Sequence, residues 1–149
     1  MRIDSEQFLG MAEEVLSRGG EVRTRVTGGS MGASVPDGSV VCFEPVGDRR
    51  LRRGDIVLVR SARGRAVCHR VFAVLGGPEG SRVQTWGDGT AAPDAPVPLT
   101  SVLGRLKSIE GPGRNPLTAA ARIRALARFW WRRFRLFGRR GRPGAGPPP

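Results

Sequence analysis

Short runs of apolar residues, separated by turn-forming residues, fill the middle of the chain. They are rich in Val, Leu, Ile and Phe, and no stretch between residues 21 and 110 has the periodicity of an amphipathic helix. The runs predict strands over residues 21–26, 39–44, 55–60, 65–75, 82–86 and 102–109. Turn signals such as Pro36-Asp37-Gly38 and Asp88-Gly89 separate them. The fold class is therefore predicted to be mainly β, with antiparallel sheets in a coiled or barrel-like arrangement.

Helical periodicity is confined to the two ends of the chain. Residues 5–18 predict a short helix that Asp4 or Ser5 can cap and that Gly19-Gly20 ends. Its apolar side is expected to comprise Phe8, Met11, Ala12, Val15 and Leu16. We expect this side to dock on the β domain.

A second helix is predicted over residues 116–137, after a break at Gly111-Pro112-Gly113 and with Asn115 as its N-cap. Its apolar stripe is expected to comprise Ile123, Leu126, Trp130, Phe134 and Phe137. A separate stripe consists of Arg124, Arg128, Arg132 and Arg135. The chain thus divides into an N-terminal helix (1–20), a β domain (21–110) and a basic helix with a disordered tail (111–149).

The positive charge is concentrated at the C-terminal end of the chain. The 149 residues carry a net charge of +12, yet residues 111–149 hold ten arginines and no acidic residue. The first 110 residues have 15 basic against 13 acidic side chains, so that part is nearly neutral. A segment so rich in arginine indicates an anionic partner: a lipid surface, a nucleic acid or an acidic protein.

Composition also restricts the expected cellular location of the protein and the cofactors it is expected to use. No apolar run approaches the roughly 18 residues that span a bilayer, and residues 1–20 lack the apolar centre of a signal peptide. We therefore expect a protein of the cytoplasm or of the inner membrane surface. Cys42 and Cys68 are expected to be buried free thiols. No Cys/His cluster has metal-ligand spacing, so neither a metal nor another cofactor is expected.

Ser30 lies in an unusual setting, between glycines and ahead of a Pro-Asp-Gly turn. A serine hydroxyl becomes a useful nucleophile only when a neighbouring group removes its proton. The chain has one histidine, His69, and one lysine, Lys107, and arginine stays protonated. A catalytic Ser30 would therefore depend on one of these two side chains. Taken alone, a histidine in an apolar strand is more often a core residue, and Lys107 is expected on a solvated strand face.

Five motifs in order carry a resemblance to a known family. GGSMGASVPDG, RRGDIVLVR, CHRVFAV, TWGDGTAAPDAPV and VLGRL cover about residues 22–110. Together they resemble the signal peptidase I family, in the histidine-using branch of archaea, the endoplasmic reticulum and some Gram-positive bacteria. The resemblance implies the fold type that these enzymes share with LexA-type repressor domains. LexA-type domains use a lysine base, whereas the only lysine here lies in the last predicted strand.

The resemblance also implies roles for individual residues. Ser30 matches the nucleophile, His69 the general base, and Asp88 and Asp94 the two downstream acids, one of which would orient the imidazole. We expect Asp88 rather than Asp94 in that role, because Asp88 directly follows a predicted strand. The oxyanion and substrate-binding region is expected at Gly28, Gly29, Ser30 and Met31, with Met31 turned into the core. An extended substrate would pair with residues 21–26.

The C-terminal helix is expected to lie on a membrane surface in place of a transmembrane anchor. Aromatic rings suit the headgroup zone and guanidinium groups suit lipid phosphates. The membrane-facing residues are expected to be Arg124, Arg128, Trp130, Trp131 and Arg132. Docking of the apolar stripe on the β domain is the alternative, and nucleic-acid binding by the same side chains is less favoured.

Two functions follow from this sequence. The first is a serine endopeptidase that cleaves a leader or signal-like segment of a protein or peptide through a Ser30–His69 dyad supported by an aspartate. The second is a non-catalytic peptide-binding or scaffold module on the same fold. The first is the main hypothesis. Ala33, which stands where the family usually has proline, and the absence of the usual anchor are the observations that support the alternative.

Overall fold

The described part of the chain contains seven strands and two helices. The computed structural model describes residues 5–48, 50–77, 79–111 and 117–137, with the backbone alone for residues 136 and 137. The helices are α1 (Ser5–Ser17) and α2 (Ala119–Phe137). The strands are β1 (Val22–Arg25), β2 (Val40–Glu44), β3 (Ile56–Arg60), β4 (Ala66–Leu75), β5 (Arg82–Trp86), β6 (Val97–Pro98) and β7 (Val102–Glu110). Two 3₁₀ turns, Gly32–Ser34 and Leu99–Ser101, complete the described elements.

The strands form one curled, half-barrel sheet in which every neighbouring pair is antiparallel. Their order is β1-β2-β7-β3-β4-β5-β6, so β1 and β6 are the edge strands. The mainly β prediction is confirmed, and all six predicted strands are present. β6 was missed. The specific fold type stays a prediction, and the predicted Asn115 cap and disordered tail lie outside the described residues.

β3 is the central strand and is buried on both faces. Ile56 and Leu58 point to a core shared with α1, β1, β2 and β7, whereas Val57 and Val59 point to a second core shared with β4, β5 and β6. This division follows from the two-residue alternation of side chains along a strand. β3 therefore joins the two halves of the curled sheet.

α1 closes the first core, as expected, but through a partly different set of side chains. Leu9, Ala12 and Leu16 are buried, while Met11, which was predicted on the apolar side, is 45% exposed. The helix ends where predicted. Gly19 has a positive φ of 83°, and its amide donates to the Leu16 carbonyl at 3.1 Å.

α2 docks on the sheet through a face that was not predicted. Phe129 is 1% exposed and stacks on Trp86 with ring centroids 5.0 Å apart, and Phe72 meets both rings edge to face. Arg122 pairs with Asp55 at 2.9 Å. The alternative that the apolar stripe docks on the β domain is wrong for Ile123, Trp130 and Phe134, which face away from the sheet because Phe129 and Ala125 occupy the contact face. Within the described ranges, no helix is both long and apolar enough to cross a membrane.

A buried ion pair ties β4 to the turn that follows β5. Arg70 of β4 is 1% exposed and binds Asp88 through Nε (3.0 Å to Oδ1) and Nη2 (2.8 Å to Oδ2). Its Nη1 donates to the Gly54 carbonyl at 2.9 Å. Because both charges lie out of water, each depends on the other for compensation.

Removing either partner of this pair should destabilise the fold more than removing both. We expect Arg70→Met and Asp88→Leu each to lower the free energy of unfolding by about 3–5 kcal/mol, because each leaves a buried, uncompensated charge. The double variant should recover part of that loss. Urea denaturation of the four proteins measures the coupling, and additive losses would show that the two side chains do not act as a pair.

Candidate active site

Ser30 lies at an exposed loop between β1 and β2. The loop turns through the Gly32 amide, which donates to the Gly29 carbonyl at 2.9 Å, and leads into the 3₁₀ turn Gly32–Ser34. Met31, the next residue, is 1% exposed and packs in the first core, as predicted. The buried Met31 side chain thus fixes the loop while Ser30 stays accessible to a substrate.

His69 is held on β4 with a defined ring orientation. It is 6% exposed, and its Nδ1 lies 2.6 Å from Oδ2 of Asp94. An ionised carboxylate accepts hydrogen bonds only, so Nδ1 carries the proton of the neutral ring. The other ring nitrogen, Nε2, is then left with a free lone pair, as a general base requires.

Asp94 orients the imidazole, and the preference for Asp88 is wrong. The loop before β6 folds back along β5, where the Asp94 amide donates to the Thr85 carbonyl at 2.9 Å. Thr85 Oγ1 also donates to Asp94 Oδ2 at 2.6 Å. Asp88 is unavailable for His69 because its carboxylate binds Arg70.

Two hydrogen bonds keep the Asp94 carboxylate ionised. Partial burial alone would raise its pKa, but the hydrogen bonds from His69 and Thr85 outweigh that effect and hold the pKa below its ordinary value of 3.8. The stabilisation that they give is present above the ordinary pKa and is lost as the pH falls through the lowered one. Around neutral pH, Asp94 therefore remains a negatively charged acceptor behind the ring.

The structure brings Ser30 and His69 together at Gly87. A Cβ added to Gly87 would lie 2.5 Å from the Ser30 carbonyl oxygen and 2.9 Å from His69 Nε2. These two atoms are therefore no farther apart than the sum of the two distances. The backbone of the candidate nucleophile thus adjoins the free nitrogen of the candidate base, although 39 positions separate the two residues in the chain.

The turn at residues 87–90 packs against the Ser30 loop at backbone contact distance. The Gly89 amide donates to the Ser30 carbonyl at 2.8 Å, and a Cβ on Gly89 would lie 2.7 Å from the Gly29 carbonyl oxygen. Asp88 fastens the same contact, because its Oδ2 accepts a 2.5 Å hydrogen bond from Ser34 Oγ. Asp88 is thus a positioning residue that links the Ser30 loop to Arg70 on β4.

The predicted oxyanion region divides into used and unused donors. The Gly28 amide is occupied, because it donates to Asp37 Oδ1 at 2.8 Å. The Ser30 amide has no acceptor in the part of the chain that the structure describes. Among the described residues the Gly29 and Met31 amides likewise have no acceptor, so three of the four predicted donors, the Ser30 N–H among them, are free to receive an oxyanion.

The surroundings of Lys107 exclude it as a general base, and those of the two cysteines exclude them as nucleophiles. Lys107 forms an ion pair with Glu21, and the hydrogen bond that the lysine donates to that carboxylate raises the lysine pKa, which keeps the amine protonated. Cys42 and Cys68 are free and partly buried, and desolvation raises the pKa of both thiols, that of Cys68 to about 12. Neither thiol is therefore a nucleophile at neutral pH.

The residues predicted to face a membrane lie on two sides of α2. Trp130 and Trp131 are 65% and 64% exposed, and Arg124 and Arg128 are also exposed. Arg132 instead turns toward the sheet, where it donates to the Thr90 carbonyl at 3.0 Å. A shallow cleft of about 320 Å³ lies there, lined by Gly89, Thr90, Ala91, Arg132 and Arg135.

Comparison with known proteins gives no assignment. No protein-family model matches the chain, and no curated protein matches it. Among the described residues, no group of three or more His, Cys, Asp and Glu side chains is arranged to hold a metal ion. The chemistry of this site is therefore argued from Ser30, His69 and Asp94 themselves.

Gly87 offers a direct test of this packing. We expect Gly87→Ala to lower the free energy of unfolding by about 1–3 kcal/mol, because the added methyl group must displace the Ser30 carbonyl or the His69 ring. Gly76→Ala is the matched control, since a Cβ there meets nothing within 4 Å. Thermal denaturation and the NMR shifts of the His69 ring measure both effects. Unchanged stability and unchanged ring shifts would contradict the close approach.

Proposed function

We propose that the protein is a serine endopeptidase resembling signal peptidase I, in which Ser30, His69 and Asp94 act as nucleophile, general base and orienting acid. The observation that carries the proposal is the direction of the His69 ring. Its Nδ1 is bound by Asp94 at 2.6 Å, and its Nε2 adjoins the Ser30 backbone beside Gly87. The acid and the imidazole are thus ordered as a serine triad requires, with the Ser30 backbone on the Nε2 side of the ring, which supports the proposal.

Acylation would begin with proton transfer from Ser30 Oγ to His69 Nε2. The serine oxygen attacks the scissile carbonyl carbon, and the resulting oxyanion accepts a hydrogen bond from the Ser30 amide. His69 then gives the proton to the leaving amine as the C–N bond breaks. Asp94 remains ionised throughout and stabilises the positive charge that forms on the ring.

Hydrolysis of the acyl-enzyme would use the same groups. His69 accepts a proton from water, whose oxygen attacks the ester carbonyl and forms a second oxyanion at the Ser30 amide. The same imidazolium then returns a proton to Ser30 Oγ as the ester bond breaks. One histidine thus serves both half-reactions, and no cofactor enters either of them.

The expected substrate is an extended leader or signal-like segment that contains small residues. Among the described strands β1 pairs with β2 on one side and lies at the edge of the sheet, and it leads directly toward Ser30, so its other side can receive an extended chain. Gly28 and Gly29 precede Ser30 without side chains, so a substrate backbone can approach closely. We place this reaction in the cytoplasm or at the inner membrane surface, whose anionic leaflet suits the arginines of α2.

Cleavage of a library of signal-like peptides, followed by mass spectrometry, tests the proposal. We expect Ser30→Ala and His69→Ala to reduce cleavage to background, and Asp94→Asn to lower kcat by about 10²–10⁴-fold. Ser17→Ala and Asp48→Asn are the matched controls, because both residues are exposed and lie on other parts of the chain. Both controls should cleave as the native protein does.

Two results would overturn the peptidase proposal. Cleavage that survives in Ser30→Ala would assign the activity to another group. No cleavage by the native chain, together with retained peptide binding, would favour the second candidate, a peptide-binding module. The free edge of β1 supports that alternative, because strand addition needs no catalytic serine.

A further inference from the structure

The side of α2 that faces away from the sheet is apolar and aromatic. Ile123, Trp130 and Phe134 are 67%, 65% and 79% exposed and fall on one stripe, and Trp131 beside them is 64% exposed. We call these four residues the outer face of α2. The helix already buries Phe129 and Ala125 on its opposite side, so the outer face contributes nothing to docking.

Arginines border this outer face. Arg124, Arg128 and Arg135 share one flank at helical spacing and are all exposed, and Arg135 lies over the Trp131 ring, 4.9 Å from its centroid. No acidic residue occurs anywhere in α2. The surface therefore joins a broad apolar strip to a row of positive charges.

We infer that the outer face of α2 binds an anionic lipid surface, with α2 lying in the plane of the headgroups. The apolar strip matches the boundary between headgroups and acyl chains, and the arginine flank matches lipid phosphates. A second copy of the chain is a poor occupant, because pairing two such faces would bring like charges together. A nucleic acid would use the arginines but would leave Ile123 and Phe134 without an apolar partner.

Lipid binding would also orient the candidate active site. Arg132 of α2 donates to the Thr90 carbonyl, and the cleft beside Gly89 is bordered by Arg135 from the arginine flank. The Ser30 loop, which accepts a hydrogen bond from the Gly89 amide, is therefore linked through the turn at residues 87–90 to the cleft that Arg135 borders. Resting on the proposed function, this geometry points to a polypeptide held at the membrane surface as the substrate.

Co-sedimentation of the full-length protein with lipid vesicles tests the inference. We expect binding to vesicles that contain phosphatidylglycerol, much weaker binding to phosphatidylcholine alone, and a loss of affinity at high salt. Trp130→Ala/Phe134→Ala should weaken binding at least about tenfold, and Arg124→Gln/Arg128→Gln about 30-fold. These four side chains are exposed, so circular dichroism should show an unchanged fold.

Two control double variants and the Ser30→Ala variant complete the vesicle-binding test. Met11→Ala/Leu75→Ala removes exposed apolar side chains elsewhere, and Arg18→Gln/Arg63→Gln removes exposed charges elsewhere. Both controls should bind as the native protein does. Ser30→Ala should also bind fully, so that a failed peptidase proposal and a failed lipid inference are distinguishable.

Three results would overturn the lipid inference. One is equal binding to anionic and neutral vesicles, and another is binding that persists in both α2 double variants. The third is a lipid-independent dimer, seen by analytical ultracentrifugation, that Trp130→Ala/Phe134→Ala dissociates. That dimer would assign the outer face to a second copy of the chain.

Discussion

The site depends on one steric constraint: the backbone of the Ser30 loop touches the backbone of the turn at residues 87–90. Glycine at positions 87 and 89 permits this approach, because a Cβ at either position would lie under 3.0 Å from a carbonyl oxygen of the loop. The approach carries the serine from the β1–β2 connection to the histidine on β4. The buried Arg70–Asp88 pair and the Ser34–Asp88 hydrogen bond hold the two segments in that position.

Asp88 and Asp94 differ in their interactions because their environments differ. Asp88 is almost fully buried and neutralised by a guanidinium group, so it fastens parts of the fold together. Asp94 is about one-third exposed, and its pKa is held low by hydrogen bonds from His69 and Thr85. The negative charge of Asp94 is therefore directed at the His69 ring, and a histidine that acts as a general base needs such a carboxylate beside it.

Sequence patterns predicted much of the fold because six of the seven described strands have four or more residues and are separated by turn-forming residues. β6 was not predicted because Val97–Pro98 is too short to show the alternation of apolar and polar residues that indicates a strand. The same strand brings Asp94 back beside Thr85. An apolar Val97 after a Pro-rich loop was the one available signal. Phe129, by which α2 docks, was not part of the predicted apolar stripe. It docks together with small Ala125 because Trp86 offers it an aromatic partner. Hydropathy along a helix does not contain that information.

Elimination left His69 and Lys107 as candidate bases for Ser30, and the resemblance to signal peptidase I implied His69. The identity of the supporting acid did not follow, because it depends on the path of a loop. The sequence pattern also gave no indication of four residues whose roles arise from contacts between segments distant in the chain: Gly87, Thr85, Ser34 and Arg70.

The most direct measurement of the central claim is the rate at which a serine-reactive fluorophosphonate labels each serine, mapped by mass spectrometry. If His69 activates it, the Ser30 hydroxyl should react at least about 100-fold faster than the hydroxyls of the exposed Ser17, Ser81 and Ser108. The His69→Gln variant should abolish this difference in rate. Labelling of Ser30 at the same rate as those serines, or labelling that does not change in His69→Gln, would contradict the account.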